Sequence, residues 1–291
     1  MPDWQHIFVA LRDDGVSVAD NANAHSVGGG DISAAWHVGP AIFLKTGASE
    51  SLDMFEAEAE GLRELRAADA VRVPEVLSCG TAGSDAYLAM EWLEFDRPGS
   101  DTERLFGRQL ARMHRHCKKR FGWHRDNSIG LTPQCNQWSD DWVAFFRDRR
   151  LGWQLQLATS KGFGGELQTA GARTMENLGI FFRDYEPRAS LLHGDLWGGN
   201  WAATAGMPVI FDPAVYYGDR ETDIAMTRLF GGFGRSFYSA YEESWPMGPG
   251  SDDRCRLYQL YHVLNHLNLF GRSYLGRAMQ LIRDIDSRIP R

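Results

Sequence analysis

The chain has 291 residues, 43% of them apolar, which suits one large domain or two lobes sharing a cleft around a substantial core. A net charge of −7 sets bulk electrostatics against nucleic acid and anionic membranes as partners. Cys79, Cys117, Cys135 and Cys255 are widely spaced with no CxxC pair, which argues against a zinc ribbon or disulfide framework and for reduced thiols in the cytoplasm.

The N-terminal stretch MPDWQHIFVALRDD lacks the basic start and long apolar run of a signal peptide, and no later run is long enough to span a bilayer. SVGGGDIS leads into a strand at 33–38, a Gly39–Pro40 turn, and a returning strand at 41–46. A helix is predicted over 51–68 and a buried strand over 86–93. EFDRPGS then has the make-up of a connector. Helices are predicted at 102–117, 139–159 and 165–183, interrupted by strand-like SLLHG and MPVIFD, with mostly helix after Asp219. The expected architecture is α+β: a small β-rich N-lobe, 1–92, joined to a larger, mainly helical C-lobe, 93–291. The basic stretch RMHRHCKKR, 112–120, reads as a helix end favoured by the C-terminal dipole, with an anion-binding face as the alternative.

The most informative stretch is LLHGDLWGGN, 191–200. A short apolar strand ending in His-Gly-Asp places Asp195 at a strand edge, and Gly198 and Gly199 let the loop turn back so that Asn200 meets it. AATAGMP supplies a hairpin turn before PVIFD, which ends on Asp212. Three oxygen-bearing side chains converging there match the needs of phosphoryl transfer from ATP. Mg²⁺ takes hard oxygen ligands, and a further carboxylate receives the attacking hydroxyl's proton.

Such enzymes also need a lysine on the phosphates, held by a helix glutamate. Lys45 is the only lysine among the first 117 residues and ends the apolar strand AIFL. On the helix that follows, Glu58 falls on the stripe made by Leu52, Phe55, Leu62 and Leu65. An inward glutamate is costly unless paired, so Glu58 is the expected partner, with Glu56 a lesser alternative. In AMEWL, around Trp92, the Glu91 carbonyl and Leu93 amide are placed to pair with adenine, although a plain strand end explains the same residues.

These stretches, with VGGGDIS, MFEAEAEGLREL, VRVPEVL, FGWHRDNSIGLTPQCN and FDPAVYYGDRETDIAMTRLFGGF, resemble the fructosamine kinase (ketosamine-3-kinase) family over nearly the whole chain. That family shares a bilobal protein-kinase-like fold with aminoglycoside phosphotransferases and choline kinases. The resemblance implies an ATP- and Mg²⁺-dependent kinase acting on the sugar 3-hydroxyl of a ketoamine, either a small molecule or a glycated protein lysine, with deglycation following. It implies Asp195 as catalytic base, Asn200 and Asp212 as metal ligands, and Lys45 with Glu58 as the phosphate anchor. Gly28, Gly29, Gly30, Asp31 and Ile32 would form the loop over the nucleotide, and Asp223 would brace the catalytic loop through backbone amides. Gly198 stands where serine is frequent in the family, and His124 where an acid is frequent. Trp197 is a candidate for stacking on the sugar, and the aromatics of 121–138 are either a sugar-facing surface or a packed loop.

Three other readings compete. His193 and Asp195 with His262 and His266 suggest a metallohydrolase, but Val263 stands where zinc proteases carry glutamate. A kinase-shaped binding module and a kinase for an aminoglycoside or choline-like alcohol are the others.

Overall fold

A computed structural model of the chain describes residues 2–19, 21–28 and 33–289. Helix α1 (Trp4–Asp13) is followed by strands β1 (Ala24–Val27), β2 (Ala34–Val38) and β3 (Ile42–Ala48), helix α2 (Leu52–Ala67), and strands β4 (Val76–Ala82) and β5 (Asp85–Glu91). The strands form one antiparallel sheet in the order β1-β2-β3-β5-β4. Its faces follow from the two-residue period of a strand. Ile42 and Leu44 of β3, with Tyr87 and Ala89 of β5, pack on Ile7 and Leu11 of α1. Ala86, Leu88 and Met90 turn the other way, toward Phe55, Leu62 and Leu65 of α2. Lys45, opposite Leu88 in the register, shares that second face.

Helix α1 and strand β4 were not anticipated. The apolar spacing of Ile7 and Leu11, behind an Asp3 that caps the His6 amide, carried a readable helix signal. VLSCGTA carries little strand propensity and, among the described residues, pairs only with β5.

The C-terminal region continues with α3 (Ser100–His114), β6 (Cys117–Lys118), β7 (Asn127–Ile129), β8 (Thr132–Gln134), α4 (Trp142–Phe146), α5 (Trp153–Ser160) and α6 (Glu166–Glu176). Then come β9 (Ala189–Leu192), β10 (Trp201–Thr204), β11 (Met207–Ile210), β12 (Tyr216–Gly218), α7 (Glu221–Thr227), α8 (Arg235–Ser244), α9 (Ser251–Phe270) and α10 (Leu275–Asp286). The helix expected at 139–159 is present as α4 and α5 joined by a π-helical stretch, Arg147–Gly152, which carries the buried Arg150. The helix expected at 165–183 stops at Glu176 and passes into a 3₁₀ turn, Leu178–Phe182. β10 and β11 form the anticipated hairpin, and its turn residues Ala205 and Gly206 both have positive φ, as a type I′ turn requires. A large core runs from α2 across β9 and β12 to α9, joining the inner face of the sheet to the helices. No helix among the described residues is long and apolar enough to cross a membrane.

Candidate active site

β9 delivers the central loop. Leu191 and Leu192 are buried, so the chain leaves the core at His193 and turns at Gly194. Gly194 has φ +85°, and a Cβ there would lie 2.0 Å from the Ala214 carbonyl oxygen, so no other residue fits this backbone. His193 is fully buried and holds two loops together. Its Nε2–H donates to the Phe211 carbonyl (2.9 Å), leaving Nδ1 to accept the Asp195 amide (3.3 Å). Burial lowers its pKa, so the ring is the neutral Nε2–H tautomer. With both nitrogens occupied by backbone, His193 is not a metal ligand.

The same loop is pinned from below. Asp223 accepts the amides of His193 (2.8 Å) and Gly194 (2.9 Å) and contacts His114 Nε2 (3.2 Å). His114 Nδ1 in turn lies 2.8 Å from the Tyr241 hydroxyl, which also receives an N–H from Arg220 (2.9 Å).

Above this support, Asn200 Nδ2 donates to the Asp195 carbonyl (2.9 Å), with Asp195 Oδ2 at 3.4 Å and the Asp212 carbonyl at 3.5 Å. Asp195, Asn200 and Asp212 therefore meet in one place. Burial, reinforced by Asp212 and Asp223, pushes the Asp195 carboxyl up to about 7. Asp212 sits at φ +55°, a left-handed conformation uncommon for a residue with a side chain. Its Oδ1 accepts from Lys45 Nζ at 2.7 Å, and Lys45 donates equally closely to Glu58 Oε1 at 2.6 Å. Burial pulls the Lys45 pKa down, but the carboxylates of Asp212 and Glu58 outweigh it and hold the ammonium charged. Lys45 selects Glu58 because Glu56 is exposed on the far side of α2, beside Arg125. Gly61 sets the height of this helix: a Cβ there would come within 3.1 Å of Val215.

A magnesium ion fits the donor set. Asn200 Oδ1 and Asp212 Oδ2 are hard oxygens that make no protein hydrogen bond among the described residues. Histidine, cysteine and carboxylate side chains form no metal-binding group of three among those residues, His262 and His266 included. His262 is fully buried with neither ring nitrogen hydrogen-bonded, and His266 donates to the His262 carbonyl one helical turn back.

Elsewhere the expected positions separate. Trp92 N–H is committed to the Ala41 carbonyl, and its ring stacks on His37 at 3.7 Å, whereas Leu93 N–H has no partner among the described residues. The Glu91 side chain pairs with Arg72 at 2.6 Å. Gly28 is an exposed bend after β1, while Gly29, Gly30, Asp31 and Ile32 lie outside the described residues. Trp197 is 40% exposed beside the Asp195 loop, and its ring covers Gly199 so closely that a Cβ there would lie 2.3 Å away. The 121–138 segment braces α2 and also lines a cavity of about 460 Å³, to which Trp123, His124, Arg125, Gln137 and Trp138 contribute. Trp123 is buried, and Arg125 and His124 each reach Glu60 of α2 at 2.6 Å. Tyr217, which also ties α2 down through Glu64 (2.5 Å), was not singled out from sequence, because nothing local marks a pairing so distant in the chain.

A profile of the fructosamine kinase family matches residues 3–288. The chain belongs to the fructosamine kinase family. A protein named "Probable ketoamine kinase" from Vibrio cholerae is 45% identical over 89% of this chain and 91% of its own length. A chloroplastic protein-ribulosamine 3-kinase of Arabidopsis thaliana is 42% identical over 89% and 81%. A candidate fructosamine-3-kinase of known structure from Haemophilus somnus superposes with TM-score 0.88 at 28% identity, covering 97% of both chains. ADP-bound aminoglycoside phosphotransferase APH(2'')-Ib superposes at TM-score 0.63 and 14% identity over 97% of each chain, a likeness of fold alone. The α+β, bilobal kinase-like architecture is thus that of the family.

Proposed function

We propose that the chain is an ATP-dependent kinase that phosphorylates the sugar 3-hydroxyl of ketoamines, fructosamine or ribulosamine adducts, and so promotes their removal from amines. The observation that carries the reading is the junction at Lys45: one buried ammonium clamped between Glu58 and Asp212, next to the Asp195–Asn200 pair. A lysine so placed anchors the α- and β-phosphates while its helix partner fixes its reach. Asp195, with a raised pKa and no ion pair among the described residues, is suited to orient the acceptor hydroxyl and receive its proton. Asn200 and Asp212 would hold Mg²⁺, which when bound neutralises charge on the transferring phosphoryl group. The Leu93 amide and Glu91 carbonyl would pair with adenine, the 28–32 loop would cover the phosphates, and Trp197 would lie against the sugar. We assign residues 1–92 to the nucleotide-binding lobe and 93–291 to the catalytic and acceptor-binding lobe. Free cysteines suit a cytoplasmic enzyme, with free ketoamines or glycated lysines as substrates.

The test is ADP release from Mg-ATP with fructosyl-lysine, ribulosyl-lysine, kanamycin or choline as acceptor. Turnover confined to the ketoamines is expected. Turnover confined to kanamycin or choline would move the enzyme to a different acceptor class, and tight ATP binding without turnover on any of them would make it a binding module.

A further inference from the structure

We propose that a second cavity, behind the catalytic loop, binds a sugar phosphate. The cavity has a volume of about 430 Å³ and presents Arg115, Arg188 and Arg220, with Ser190, Glu186 and Trp245 between them. The three arginines come from separate elements: the end of α3, the approach to β9, and the residue preceding α7. Tertiary folding gathers them in a chain whose net charge is −7.

None of the three guanidinium groups has a carboxylate within ion-pair distance among the described residues. Arg115 donates to the carbonyls of Ala111 and Ser244. Arg220, only 4% exposed, donates to the carbonyls of Trp245 (3.0 Å) and Pro246 (2.5 Å) and to the Tyr241 hydroxyl. Arg188 is exposed, and its side chain makes no hydrogen bond there. Nearby Asp219 is already engaged by the Tyr185 and Tyr258 hydroxyls. The indole of Trp245 carries the guanidinium of Arg220 at 4.2 Å and that of Arg115 at 5.2 Å, which holds both planes in place. Elsewhere in the basic stretch 112–120, Arg112 donates to the carbonyls of 69 and 70, Lys118 pairs with Glu64 and Arg120 pairs with Asp140. Arg115 lines the cavity and pairs with no carboxylate among the described residues.

A buried guanidinium satisfied only by neutral acceptors keeps its full charge in a poor dielectric, and an arriving anion recovers that cost. Several forked donors and the Ser190 hydroxyl match a phosphate monoester dianion, which takes bidentate arginine bonds. The cavity is larger than phosphate alone requires. Glu186 on its wall can accept from hydroxyls, so the ester should carry hydroxyls beside its phosphate.

Calorimetry on the full chain, its nucleotide site filled with Mg-ADP, tests this with glucose 6-phosphate, inorganic phosphate and glucose as probes. Saturable binding of glucose 6-phosphate is expected, weaker binding of phosphate, and none of glucose. The double variant Arg115→Gln/Arg188→Gln should weaken the sugar phosphate at least about tenfold, the worth of one lost charged hydrogen bond. Arg188→Gln alone, an exposed change, covers the event that the double variant misfolds. Lys45→Ala should leave this binding intact, since it acts on the other site. No saturable binding of glucose 6-phosphate at about 10 mM, equal affinity in the arginine variants, or equal binding of glucose would overturn the proposal.

Discussion

Asp195 and Lys45 are opposite solutions to burial of charge. Lys45 has two carboxylates within 2.7 Å and stays ionised; Asp195 is buried, with the carboxylates of Asp212 and Asp223 nearby and no cation in contact among the described residues, so its proton affinity rises. A group meant to receive a proton benefits from that imbalance, and one meant to hold phosphate benefits from the first. Asp195→Asn keeps the shape and the Asn200 contact but has no basic oxygen. We expect ATP affinity within a few-fold of the parent and kcat lower by about 10²–10⁴, measured by ADP release and calorimetry. Parent-rate transfer by this variant would dismiss the base assignment. Lys45→Ala removes the phosphate donor and leaves Glu58 facing Asp212. A loss of about 10² or more in kcat/KM for ATP is expected, and unchanged KM and kcat would rule out the anchor.

At the level of elements, the Asp195 loop hangs on a single carboxylate. Asp223, on α7, takes two backbone amides and a histidine from α3, so three elements meet on one side chain that is 1% exposed. Asp223→Ala strands those donors in the interior, at a cost of about 1–3 kcal/mol for each unsatisfied group. A lower urea midpoint with kcat reduced and ATP affinity largely retained is the expected pattern; an unchanged midpoint would mean the loop is held elsewhere. Helix α2 is fixed similarly along its polar face, where Asp53, Glu60 and Glu64 reach Arg125, His124, Lys118 and Tyr217 of the C-terminal region. Those contacts keep Glu58 in register with Lys45.

Across the whole molecule, acid sensitivity follows from histidines buried neutral. His262 lies in the core of α9 with neither ring nitrogen hydrogen-bonded, and burial lowers its pKa to about 3 from 6.5. Between those values the unfolded chain binds a proton that the folded chain refuses, so stability present above pH 6.5 is lost as pH falls. One such group contributes a slope of about 1.4 kcal/mol per pH unit. His262→Leu, close in volume, should flatten the fall in urea-derived stability between pH 6.5 and pH 4 by about that slope. Superimposable pH curves for parent and variant would show that His262 is not held neutral.

Much of the site was legible before any coordinates because its parts are local. The turn at Gly198 and Gly199, the hairpin closed by Ala205 and Gly206, and the inward phase of Glu58 follow from rules that act within a few residues, and the family motifs lie in those same stretches, whereas the left-handed turn at Gly194 was not read. Lys45 stood out likewise as a lone lysine closing the apolar strand AIFL. What sequence could not decide was which distant groups those residues would meet. That Asp212 shares the Lys45 ammonium, that His193 spends both nitrogens on backbone, that 121–138 braces α2, and that three arginines from separate elements surround one cavity are long-range facts. They arise from how the sheet, α2 and the helical region close on a common core, and charge pairing across that core depends on distances of a few ångströms that no local periodicity encodes.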